Sequence, residues 1–139
     1  MFVLLVDDNP GDIELLQAAM DDAQVVRTCH AVHDGDEAVK FLLRESPHVQ
    51  APRPDLIVMD LGLPLKSGIE VMKQFHHRPE FRKIPLVLMS GMTRDSQDCC
   101  AHWDEDHCLY LTKPLTFEGY VDAVGAIKEF LASLCIGEG

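Results

Sequence analysis

Four short polar groups stand directly after apolar runs. Asp7-Asp8 follows Phe2-Val3-Leu4-Leu5-Val6, Asp60 follows Leu56-Ile57-Val58-Met59, Ser90 follows Leu86-Val87-Leu88-Met89, and Thr112-Lys113-Pro114 follows Cys108-Leu109-Tyr110-Leu111. Brought together, they would put three carboxylates, a hydroxyl and an ammonium in one place. Close carboxylates repel one another and favour a bound cation. Oxygen donors with room for water suit Mg2+, and Mn2+ could substitute. Lys113 would add a compact positive charge and Ser90 a hydroxyl donor. Such a set can hold a phosphoryl group, with one carboxylate attacking phosphorus. Taken singly, each residue has an ordinary use: Asp8 or Asn9 as a helix cap, Ser90 bonded to local backbone, Lys113 as a solvated cation. The joint pattern is what points to chemistry.

The elements that must position these groups alternate along the chain. Strands are expected at Phe2–Val6, Val25–Val32, Leu56–Met59, Ile84–Ser90 and Cys108–Leu111. Each is rich in Val, Ile and Leu, and three are nearly continuous in their apolar residues, the pattern of strands covered on both faces of a parallel sheet. Helices are expected at Pro10–Asp22, capped by Asn9, and at Asp36–Arg44, Ser67–His76, Ser96–Trp103 and Phe117–Leu134, each with apolar residues at helical spacing. Ser96–Trp103 has the least to bury. Five strand–helix repeats imply an α/β domain, a doubly wound five-stranded parallel sheet with helices on both faces and right-handed crossovers. In such a fold the working crevice lies beyond the carboxyl ends of the strands, where all four polar groups fall. The loop Ser46–Pro54 is longer than most connections. The chain reads as one domain over residues 1–139, with a core of about 2–134 and no output domain.

These residues resemble the response-regulator receiver domains, which are flavodoxin-like (βα)5 proteins that take phosphate from histidine kinases. The resemblance covers essentially the whole chain. It is carried by Leu4-Leu5-Val6-Asp7-Asp8-Asn9, Asp34-Gly35, Pro54 through Pro64 with Gly68, Pro85 through Ser90-Gly91, and Tyr110-Leu111-Thr112-Lys113-Pro114-Leu115. It implies that Asp60 accepts the phosphoryl group. It also implies that Asp7, Asp8, Asp60 and the backbone carbonyl of Gly62 hold Mg2+ or Mn2+, with Asp7 acting partly through water. Lys113 and Ser90 would contact the phosphoryl group, and Tyr110 would be an aromatic switch. Gly62 and Met92 stand where the family tunes dephosphorylation with other side chains. Neither can orient a water, which implies slow self-hydrolysis. Asp106 replaces a glycine common before the last strand, and aspartate tolerates such a turn. The Asn9-Pro10-Gly11-Asp12 variant and the Ser46–Pro54 loop are similar to those of small regulators serving bacterial phytochrome-type kinases.

Composition narrows the function classes. The 139 residues carry 12 basic and 23 acidic side chains, net -11, which opposes direct nucleic-acid binding. No apolar run is long enough for a membrane span, and no leader pattern opens the chain, so a cytoplasmic location is expected. The cysteines Cys29, Cys99, Cys100, Cys108 and Cys135 lack framework spacing and are expected to be thiols. The cluster Cys99, Cys100, His102, His107 and Cys108 fits no zinc finger or ribbon. An enzyme with an aspartyl-phosphate intermediate would want an Asp-x-Asp pair and a cap domain, whereas Asp7 and Asp8 are adjacent. A nucleotide-binding reading lacks a glycine-rich loop after the first strand. An interaction module without phosphorylation would have no use for the full acidic and basic set. The expected protein is therefore a switch rather than an enzyme acting on other molecules. Its partners would be a sensor histidine kinase or phosphotransfer protein, of the phytochrome type, docking on Pro10–Asp22. Its output would pass through Tyr110–Leu111 and the last helix, with self-association as one route.

Overall fold

In the computed structural model the described residues are 1–91 and 103–138. Five parallel strands form one sheet in the order β2-β1-β3-β4-β5: β1 Phe2–Val6, β2 Thr28–Val32, β3 Leu56–Asp60, β4 Leu86–Ser90 and β5 Cys108–Thr112. The helices are α1 Pro10–Asp22, α2 Gly35–Leu43, α3 Gly68–Gln74, α4 Pro79–Arg82 and α5 Phe117–Glu138. Side chains alternate across each strand, and the alternation builds two cores. Leu4, Val6, Ile57, Met59, Leu86 and Leu88 pack with α2 and α3 on one face. Val3, Leu5, Leu56, Val58, Val87 and Met89 pack with α1 and α5 on the other.

The sheet and the flavodoxin-like architecture agree with the sequence reading, and most of the differences lie at element ends. β2 starts at Thr28 rather than Val25. The Val25 N–H closes α1 by donating to Met20 O at 2.9 Å, and the Arg27 guanidinium caps Gln17 O at 3.0 Å. β4 starts after Pro85, at Leu86. Ser67 is the cap of α3 and Arg44 the left-handed cap of α2. The short α4 was not anticipated; its Phe81 is buried between α3 and the start of β4. The expected helix Ser96–Trp103 lies outside the described residues except for Trp103, which is buried and donates its indole N–H to Ile84 O at 2.8 Å. Cys108 is a correction: it is disulfide-bonded, where a thiol was expected. Sequence spacing alone does not reveal which cysteines meet in space. Cys29 is a half-buried free thiol.

Candidate functional site

The parallel register delivers the polar groups to one edge. Val6 lies beside Met59, Asp60 beside Met89, and Ser90 beside Thr112. The chain leaves β1 toward β2 on one side and returns with β3 on the other, so Asp7 and Asp60 flank the point where a doubly wound sheet opens a crevice.

Local structure fixes each carboxylate. Asn9 caps α1, its side chain accepting from the Gly11 and Asp12 N–H groups, while its own N–H donates to Asp7 Oδ1 at 2.9 Å. The cap thus orients Asp7 as well as starting the helix. Asp60 Oδ1 accepts from the Gly62 N–H at 2.9 Å. Gly68 holds the following loop close: a Cβ there would lie 3.1 Å from Asp60 O and Leu61 Cα. Carboxylate oxygens of Asp7, Asp8 and Asp60 lie within 4.8 Å of one another.

Lys113, directly after β5, is anchored by its N–H to Ser90 O at 2.7 Å. Its ammonium reaches Asp60 Oδ2 at 2.8 Å, Asp7 Oδ2 at 3.2 Å and Asp12 Oδ2 at 2.7 Å. Burial alone would lower its pKa, but hydrogen bonds to Asp12 and Asp60 and the charge of Asp7 outweigh that and raise it above the ordinary lysine value. Burial raises the pKa of Asp7 above the usual carboxylate value; the Asn9 N–H and Lys113 oppose the rise, and the charge of Asp60 adds to it. Asp7 is therefore a carboxylate whose charge a further cation would stabilise.

Sequence reasoning brought Asp7, Asp8, Asp60, Ser90 and Lys113 to this edge, and the fold places all five there. It missed Asp12. An acidic residue in the first turn of a helix ordinarily answers the helix dipole, and only its spacing from the Asp7-Asp8 pair hinted that it would turn inward. Tyr110 is half-buried in β5, its ring against the α2 and α3 side of the core. Gly62 is exposed, and a Cβ there would meet only Asp60 Oδ1, at 3.6 Å. Met92, Cys99, Cys100 and His102 lie outside the described residues. His107 is half-buried beside Cys108.

The donor set fits a hard divalent ion: all-oxygen ligands, three of them close, facing solvent at Asp8. Among the described residues no helix is long and apolar enough to cross a membrane.

Comparison with known proteins agrees with this geometry. The family model "Response regulator receiver domain" matches residues 3–125. The response regulator Rcp1 of Synechocystis is 30% identical over 128 residues, covering 92% of this chain and 86% of that protein. The crystal structure of the phosphorylated cyanobacterial phytochrome response regulator RcpA superimposes with a TM-score of 0.81 at 34% identity, covering 96% of this chain and 94% of that one. The Mn2+-bound form of Rcp1 also gives 0.81, at 28% identity, covering 94% and 93%. With a sheet, an acidic edge and a matching family model across most of its length, this chain belongs to the response-regulator receiver family.

Proposed function

We propose that the protein is a phosphorylation switch in which Asp60 accepts a phosphoryl group from a histidine kinase or phosphotransfer protein. The observation that carries this reading is the Lys113 ammonium 2.8 Å from Asp60, in a crevice where Asp7 and Asp8 bring two more carboxylates within 4.8 Å. Asp60 Oδ2 attacks phosphorus, the bond from phosphorus to the donor imidazole breaks, and the imidazole leaves with the electron pair. Asp7, Asp8, Asp60 and the Gly62 carbonyl would hold Mg2+ or Mn2+, which supplies positive charge for the phosphoryl oxygens. Lys113 neutralises the same oxygens from the opposite side, and the Ser90 hydroxyl donates to one of them. The protein's own chemistry is limited to gaining and losing this group.

The kinase we infer is of the phytochrome type, since RcpA, a cyanobacterial phytochrome response regulator, is 34% identical and matches 96% of this chain. Output passes through the surface around Tyr110 and α5, where Glu118, Asp122, Lys128 and Glu129 are exposed, and self-association there is one route. The protein is read as a single cytoplasmic domain. Beryllofluoride, a phosphoryl mimic, with Mg2+ should bind the wild type and fail on Asp60→Asn. Equal binding by both would remove Asp60 from the role. Sizing with and without beryllofluoride tests self-association.

A further inference from the structure

Tyr120 lies in the first turns of α5 and is 1% exposed. Its hydroxyl is buried and makes no hydrogen bond of good geometry within the protein. Yet it lies near enough to the Asp12 carboxylate that, after burial, the charge of Asp12 and a weak hydrogen bond to it help raise the phenol's pKa. It opens on a small cavity of about 10 Å3 beneath the acceptor site, lined also by the carboxylate residues Asp7, Asp12 and Asp60. That volume is close to the least that admits one water, and such a water needs two to four polar partners. A phenylalanine would fill the apolar part of this place equally well, so packing gives no account of the hydroxyl. A buried phenol ordinarily finds a partner.

We infer that Tyr120 is a positioning residue whose hydroxyl donates to the Asp12 carboxylate through one water in this cavity, and holds Asp12 when Lys113 turns to the phosphoryl group. The inference rests on the reading of Asp60 as acceptor and deepens it. An ammonium has three protons, and Lys113 already shares them among Asp7, Asp12 and Asp60. A phosphoryl group on Asp60 brings further oxygens to the same ammonium. Asp12 is the partner outside both the acceptor and the metal pair, and it is the one released. Left without a donor, that half-buried carboxylate would hold Lys113 back, because an unpaired buried acceptor is costly. The tyrosine supplies the replacement and ties the first turn of α5 to the first turn of α1.

The test uses the full chain as wild type, Tyr120→Phe, Asp12→Asn and the double variant, with beryllofluoride affinity in Mg2+ read by fluorine NMR and Mg2+ affinity alone read by calorimetry. Tyr120→Phe should bind beryllofluoride about three- to tenfold more weakly, the value of one hydrogen bond, with Mg2+ affinity about unchanged. Adding Tyr120→Phe to Asp12→Asn should bring no further loss. A wild-type crystal structure should show a water bridging the Tyr120 hydroxyl and Asp12, and this readout stands even if Tyr120→Phe folds poorly. Equal beryllofluoride affinity in Tyr120→Phe and wild type, additive losses in the double variant, or a dry cavity would each overturn the inference. Wild-type protein that binds no beryllofluoride would instead overturn the acceptor reading beneath it.

Discussion

Asp55, just before β3, and Asp60, its last residue, stand at opposite ends of one strand and do opposite things. At the amino edge of the sheet, Asp55 joins β3 to β1: its carboxylate accepts the Phe2 N–H at 2.7 Å and its own N–H donates to Phe2 O at 2.8 Å. At the carboxyl edge, Asp60 meets one backbone N–H, an ammonium and two further carboxylates. The first aspartate completes a backbone ladder, and the second sits among charges that the fold has concentrated. The edge decides the role, because parallel strands that share a direction deliver every βα loop to one side. The amino edge instead carries a cavity of about 510 Å3 lined by Met1, Pro54, Ile84, Pro85, Leu131 and others, with no comparable knot of carboxylates among the described residues.

The sharpest break of this comparison is to neutralise each aspartate in turn. Asp60→Asn should abolish beryllofluoride binding and labelling by acetyl phosphate, while Asp55→Asn should keep both. A labelled Asp60→Asn protein, or an inert Asp55→Asn, would dissolve the contrast. Next in size, Lys113→Ala should slow phosphorylation by acetyl phosphate on the order of a hundredfold, as loss of one well-placed charge donor does. Because the folded pKa of Lys113 is raised, its ion pairs persist fully below the unfolded value of about 10.4 and are lost only as pH rises beyond it. The ratio of wild-type to Lys113→Ala rates should therefore be flat between about pH 7 and 9, and a ratio collapsing across that range would place the charge elsewhere.

A smaller effect is expected at Gly62. Wild-type phosphoprotein should lose its phosphoryl group slowly, over far more than seconds. Gly62→Asn has steric room and offers an amide able to orient water, so it should shorten the lifetime by about tenfold. An unchanged lifetime would show that Gly62 does not set it. Smallest is the amino edge: Asp55→Ala should cost about 1 kcal/mol in urea unfolding through the Phe2 N–H it leaves, with the phosphorylation rate untouched. A change in that rate would mean that the two edges communicate.

Much of this was legible in the sequence because the three central strands, β1, β3 and β4, are covered on both faces. Continuous apolar runs such as Leu56–Met59 mark such strands, and a polar residue ending each run marks the edge. The pair Asp7-Asp8, Asp60 and Lys113 could therefore be placed before any coordinates. What escaped had no periodic signature. Pro79–Arg82 is too short to show a helical repeat. Val25 and Arg27 look like strand residues, yet they serve the end of α1, since hydrophobicity does not say which neighbour a residue will cover. Asp12 and Tyr120 escaped for a related reason: a first-turn acid and an aromatic on an amphipathic helix both have ordinary uses, and only tertiary packing turns them toward one cavity. The bonded state of Cys108 likewise depends on spatial approach.

The reach of Lys113 has a consequence for how the molecule is made. It meets Asp7 across a sequence separation of 106 and Asp60 across 53, and it lies beyond the last strand. During vectorial synthesis the aspartates emerge first, and the ammonium that pairs them comes only after the fifth strand has left the ribosome. Until then the acidic edge is a self-repelling assembly, and the contacts that quiet it are among the most non-local in the chain, the kind that slow folding. Arrival of Lys113 acts as a latch: it pairs the acidic edge and arms the site in the same event.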